Sequence, residues 1–129
     1  MRIFKNPWFV RFAKKEAISD ASLYEAIERA ENDQIDADLG GGIIKQRVAK
    51  PGKGRSKGWR VIVAFRKSSK GAFLLFGFPK SSRENIEDDE LKGFRMLARD
   101  LLKLTDRKLD LLVEQKKFSE VGHGEEVQE

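Results

Sequence analysis

Three stretches of strand-like character between Ile43 and Phe78 are joined by segments too short to carry a crossover helix. Neighbouring parallel strands need a dozen or more connecting residues, so these stretches pair as an antiparallel meander. In Ile43–Lys50, Lys45 and Arg47 fall on one face while Ile44, Gln46 and Val48 fall on the other. Pro51-Gly-Lys-Gly-Arg-Ser-Lys-Gly58 reads as a turn-rich basic loop outside any regular element. Trp59–Arg66 places Trp59, Val61, Val63 and Phe65 on one side. Arg60, Ile62, Ala64 and Arg66 take the other, with the two arginines at the strand ends. Ser68-Ser-Lys-Gly71 turns the chain into Ala72–Phe78, which is apolar on both faces and therefore predicted to be central in the sheet.

Helical periodicity flanks this meander. Residues 2–4 read as a short first strand, and Pro7 suits the first position of a helix capped by Asn6. A second helix starts near Ser19 to Ser22, where Ser22-Leu-Tyr-Glu25 has the form of a capping box. Leu23, Ala26, Ile27 and Ala30 follow at helical spacing. Two paired helices packing on a sheet explain this third of the chain more simply than a DNA-reading motif. After the meander a long helix is expected, capped by Asn85, with Glu87–Glu90 near its positive end. Its core stripe would be Leu91, Phe94, Leu97, Ala98, Leu101 and Leu102. Thr105 caps a last short helix with Leu109, Leu112 and Val113 inward. The fold class is therefore α+β, with two N-terminal helices, a small mainly antiparallel β-sheet and C-terminal helices. One domain is expected over residues 1–121, with a disordered tail over 122–129.

Charge is distributed unevenly. From Leu39 to Arg83 lie twelve of the chain's 26 basic residues and none of its 21 acidic ones. A segment of one sign is suited to a polyanion, because each phosphate it neutralises releases condensed counterions. The chain has no cysteine, which excludes a disulfide framework and a thiol nucleophile. Its single histidine, His123, stands in a glycine-flanked tail, so a two-histidine ribonuclease mechanism is excluded. A two-metal nuclease centred on the basic stretch lacks carboxylate ligands, and no cofactor is expected. Gly52-Lys-Gly-Arg-Ser lacks the spacing of a phosphate-binding loop. With no signal-peptide pattern and no apolar run of membrane length, a cytoplasmic protein without membrane association is expected.

Lysines and arginines on a sheet can cleave RNA without metal. The reaction needs a 2′-hydroxyl held in line with phosphorus, a proton acceptor, a proton donor and a counter-charge for the phosphate. Arginine supplies the counter-charge through its planar fork, and crowding by like charges makes a lysine a workable base. On composition alone, RNA binding and RNA cleavage stand as equal readings.

The segments Gly41–Arg66 and Phe76–Ile86 resemble the core of RelE/HigB-type toxins of type II toxin–antitoxin systems, and the likeness covers roughly residues 39–104. Its most specific parts are Trp59-Arg60 after Ser56-Lys-Gly58, and Gly77-Phe-Pro-Lys80. The resemblance implies a bacterial toxin that acts as a ribosome-dependent messenger RNA endonuclease. It also implies a cognate antitoxin with a helix-turn-helix DNA-binding domain, and the ribosome and messenger RNA as further partners. By matched position, Arg60 resembles the arginine on the scissile phosphate. Lys45 and Arg47 resemble the neighbouring basic pair, and Lys80 belongs to the catalytic set at the basic exit. Lys50, Lys53, Arg55, Lys57, Arg66 and Arg83 form the remaining RNA-binding candidates. Well-characterised relatives carry a tyrosine or histidine near the exit. This chain has Ser81, Ser82, Asn85 and Glu87 there, and its only tyrosine, Tyr24, lies in the second helix. The base is open among Lys45, Lys80 and Glu84, and Trp59 is expected to pack in the core. A ParE-like toxin acting on DNA gyrase and a non-catalytic nucleic-acid-binding regulator are the alternatives.

Overall fold

The computed structural model describes residues 1–52 and 54–122, apart from the side chains of 54–56. The expected tail lies outside the described residues beyond Gly122. In chain order the elements are β1 (Arg2–Lys5), α1 (Pro7–Glu16), α2 (Asp20–Glu31), β2 (Ala37–Gly40) and β3 (Ile43–Lys50). There follow β4 (Gly54–Ala64), β5 (Gly71–Pro79), α3 (Asp88–Leu101), α4 (Asp106–Glu114) and β6 (Ser119–Glu120). One six-stranded sheet has the order β2-β3-β4-β5-β1-β6. Among the described residues, only β1 and β5 pair in parallel. The expected α+β class and the β3–β4–β5 meander are both present.

Local chemistry sets the element ends. Asn6 caps α1, accepting from the Phe9 N–H at 2.7 Å, and Pro7 opens the helix as expected. α2 starts within the expected Ser19–Ser22 stretch, but not at the expected Ser22–Glu25 capping box. Its cap is Ser19, whose hydroxyl accepts from the Ser22 N–H at 3.1 Å, so Ser22 lies inside the first turn. Ala17, in the left-handed conformation at φ 58°, ends α1 and leaves room for only Ile18 before that cap. α3 is capped by Glu87 in a reciprocal box with Glu90, not by Asn85. Thr105 caps α4 as expected.

Both faces of the sheet are covered. On one face Ile44, Val48, Trp59, Val61, Val63 and Leu74 pack beneath Phe9, Leu23, Ala26 and Ile27 of α1 and α2. On the other, Phe4, Ile43, Ile62, Ala64, Phe73 and Leu75 pack against Ala98, Leu102 and Leu109 of α3 and α4. α3 sits over the start of β3, where Leu102 and Ala98 approach Gly42. Leu97, expected in its core stripe, is instead half exposed with Met96. The expected basic loop is also shorter than its composition suggested. β4 begins at Gly54, so Arg60 is interior to the strand and Arg66 lies beyond its end. A bulge in β5 pairs Ile62 with Phe76 and Val63 with Leu74, leaving Leu75 as the extra residue. It shifts the phase of the strand, so that Phe73, Leu75, Phe76 and Phe78 all join the α3 side.

Candidate functional site

Two cross-strand rows define the basic face. Register places Arg47 opposite Arg60 and Arg60 opposite Phe78. One step along, Lys45 faces Ile62 and Ile62 faces Phe76. Directly opposed residues of an antiparallel pair project to the same side with Cα atoms about 4.5–5.5 Å apart. Lys45, Arg47 and Arg60 therefore converge on the α3 side of the sheet, beyond the part that α3 covers.

Their surroundings differ. Arg47 is exposed, Lys45 is half buried, and Arg60 is only 8% exposed. The Arg60 guanidinium donates to the Trp59 carbonyl at 3.5 Å. Burial lowers its pKa from the ordinary arginine value, and the facing charge of Arg47 lowers it further, against the opposing pull of Asp36 and Glu84. Arginine remains a cation even so. Both effects disfavour its charge, and the attraction of an anion beside it would oppose them. Lys45 Nζ lies 3.5 Å from the Glu84 carbonyl oxygen, which brings the exit segment over the end of the row.

Arg83 closes the third side. Its guanidinium carbon stands 5.4 Å from the Phe78 ring centre and 5.8 Å from that of Phe76. It donates to Glu90 at 2.5 and 3.4 Å and to the Asn85 carbonyl at 2.8 Å. The Glu90 hydrogen bond raises the Arg83 pKa and holds the Glu90 carboxyl below its usual range. Lys80 and Lys57, both exposed, line a shallow depression of about 300 Å3 with Ser81 at the rim.

Other expected contacts stand elsewhere. Lys50 lies 5.9 Å from the ring centre of Trp59, on the α1 side of the sheet. Arg66 follows Arg60 by six residues, roughly 20 Å along an extended strand. Lys53 and the side chain of Arg55 lie outside the described residues. Trp59 is buried and donates from Nε1 to Glu16 at 2.9 Å, so it is a core residue as expected. A wider depression of about 740 Å3 along α4, lined by Thr105, Arg107, Lys108, Asp110, Leu111 and Glu114, includes none of the candidate residues.

Two residues that the sequence did not single out also reach the site. Arg29 of α2 and Asp36, just before β2, bond the backbone of Arg47 from the outer edge of β3. Among the described residues, no group of three or more His, Cys, Asp or Glu is placed to hold a metal ion. No helix among them is long and apolar enough to cross a membrane.

Against known proteins, a family model described as RelE toxin of the RelE/RelB toxin–antitoxin system matches residues 1–121. The match extends well beyond the basic meander that carries the resemblance in the sequence. A search of curated proteins gives no match. A match over nearly the whole chain, with the α+β fold in place, makes this chain a member of the RelE toxin family, the toxin half of a pair whose other half is an antitoxin.

Proposed function

We propose that the protein inhibits translation by cutting messenger RNA without a metal ion, and that it does so on the ribosome. The observation that carries this reading is the convergence of Lys45, Arg47 and Arg60 on one sheet face, within a segment free of acidic residues. In this reading residues 1–121 act as one toxin domain in the bacterial cytoplasm, and an antitoxin with a helix-turn-helix DNA-binding domain restrains it.

The chemistry follows from the placement. RNA bent across the two rows presents its scissile phosphate to Arg60 and Arg47, whose forks neutralise the charge that builds on the non-bridging oxygens. The 2′-oxygen bonds to phosphorus as the bond to the 5′-oxygen breaks, leaving a 2′,3′-cyclic phosphate and a 5′-hydroxyl. One proton leaves the 2′-hydroxyl and one reaches the departing oxygen. Lys45 stands next to the arginine pair and is placed for one of these transfers. Glu84 is near enough to feel the Arg60 charge and remains a second candidate base. Lys80 and Lys57 at the rim, with Arg83, hold flanking phosphates.

The test is to add purified protein to a cell-free translation reaction and map new 5′ ends on the message. Cuts that appear only during translation support the reading. Cuts without ribosomes would make it a free ribonuclease with the same centre. Intact message with impaired supercoiling would indicate gyrase as the target, and intact message with binding alone would leave a regulator.

Affinity for RNA should also fall steeply with salt. Four phosphate contacts on single-stranded RNA give a log–log slope of about −3, or roughly 50-fold weaker binding between 50 and 200 mM salt. A flat titration by fluorescence anisotropy would remove the basic face from RNA binding.

A further inference from the structure

The pair Arg29 and Asp36 has no role in the chemistry above, yet its contacts fall on one candidate residue. Asp36 Oδ2 accepts from the Arg47 N–H at 2.7 Å, and Arg29 Nη2 donates to the Arg47 carbonyl. Arg29 Nη1 also meets Asp36 Oδ2 at 3.1 Å, and its Nε meets Glu25 at 2.7 Å. Both backbone polar groups of Arg47 are therefore directed away from β4 and toward the outer edge of β3.

Two facts make this more than a surface ion pair. First, β2 pairs with β3 only as far as Ala37 opposite Lys45, so at Arg47 there is no strand on that side. The carboxylate and the guanidinium take the places of a missing strand's acceptor and donor. Second, an Arg47 whose N–H and C=O point outward faces Arg60 as a non-hydrogen-bonded pair, the register in which opposed side chains come closest. Like charges directly opposed repel. With no backbone bond to β4 at this position, the pairing is held against that repulsion from behind.

The network is anchored. Arg29 is 7% exposed and Gln46 is fully buried. Gln46 accepts from the Asp36 N–H at 2.7 Å and donates to the Ala26 carbonyl at 2.9 Å, which ties the assembly to α2. We infer that Arg29 and Asp36 are positioning residues that hold Arg47 opposite Arg60 for the reacting phosphate. This inference rests on the nuclease reading.

The experiment compares the parent, Asp36→Asn, Arg29→Lys, Arg47→Ala and Asp36→Asn combined with Arg47→Ala. Asp36→Asn keeps the shape of the side chain and removes its charge, and Arg29→Lys keeps charge while losing the fork. Amide hydrogen exchange should be faster at Arg47 in both single variants, with Val61 and Val63 in the interior of β4 unchanged. Cleavage should fall on the order of 100-fold in kcat, with KM for RNA within about threefold, as expected for a misplaced group. Asp36→Asn should add no further loss in the Arg47→Ala background, because it acts through that residue.

A purely structural pair would predict additive losses, and that result would overturn the inference. Unaltered Arg47 exchange would also overturn it, even with a fully active parent. A parent that cuts no RNA would sink the nuclease reading, and with it the catalytic part of the inference, whatever the exchange data show.

Discussion

Arg60→Ala is expected to abolish growth arrest and message cleavage while leaving a protein that melts cooperatively. Removing one preorganised donor from a developing charge costs on the order of 100- to 1,000-fold in rate. Arg60 is also the most buried of the described candidate cations. The structural cost should be smaller than its burial suggests. Taking away a desolvated cation opposite Arg47 relieves repulsion and offsets part of the lost packing of the stem. A net change of about 2 kcal/mol or less is expected, set against a typical domain stability of roughly 5–15 kcal/mol. Arg60→Lys keeps the charge without the two-pronged fork and should give intermediate activity. Induced growth arrest, 5′-end mapping and a thermal melt together decide the matter. Undiminished arrest by a folded Arg60→Ala protein would take Arg60 out of the site.

Gly58→Ala should have the largest effect on stability. A Cβ at this position would stand 1.9 Å from the Val48 carbonyl oxygen and 2.8 Å from the Lys50 nitrogen. Both are backbone atoms of β3, so no rotamer change can relieve the contact. The β3–β4 ladder would have to open beside its bulge, only two residues from Arg60. The Gly58 carbonyl also accepts from the Lys80 N–H at 3.1 Å, so the disturbance would reach β5. Overpacking usually costs about 1–3 kcal/mol and sometimes more. Here the upper end is expected, with a melting temperature lower by on the order of 10 °C. Gly52→Ala is the matched control. Its φ of 77° strains alanine, but apart from its chain neighbours no described atom lies within 4 Å, so the backbone cost of roughly 1–2 kcal/mol is expected. Equal melting temperatures for parent and Gly58→Ala would show that the two strands separate there without cost.

The parts of the fold readable from sequence were those where burial leaves a period. β3 and β5 bury alternate or continuous apolar residues, and Pro7 and Thr105 mark helix starts by hydrogen-bond chemistry that needs no tertiary context. Where burial ends, the pattern ends. β2, with the sequence Ala37-Asp-Leu-Gly40, alternates over four residues only, and β6 has two exposed residues, so both are too short for a readable period. The first four residues of β4 extend as a hairpin arm of glycine, serine and basic residues, which sequence reads as loop. Capping boxes misled because Ser19 and Ser22, or Asn85 and Glu87, offer similar chemistry a few residues apart. Leu97 has the spacing of a core residue, but α3 rolls so that Ala98 and Leu102 face the sheet. In the candidate site, alternation put Lys45 and Arg47 on one face of β3, and the family resemblance joined Arg60 to them; the register that brings them together is visible only in the fold. Lys50 and Arg66 were basic residues of the same segment that strand geometry sends elsewhere. Arg29 and Asp36 were not legible at all, since an ion pair joining a helix to a strand edge leaves no local signature.

The position of β1 has a consequence in time. Arg2 pairs with Gly71 and Phe4 with Glu120, so the first strand made is the one that completes its pairing last. At roughly 5–20 residues per second of synthesis, β1 waits about 3–14 s for β5 and about 6–23 s for β6. Phe4 is fully buried and touches the rings of Phe73 and Phe118, so the core beneath the basic rows cannot close until the segment leading into β6 has been made. β3 and β4 can meet early as a hairpin, but they have no finished floor until then. A protein proposed to attack translation would thus lack a finished basic face while most of this domain is being made.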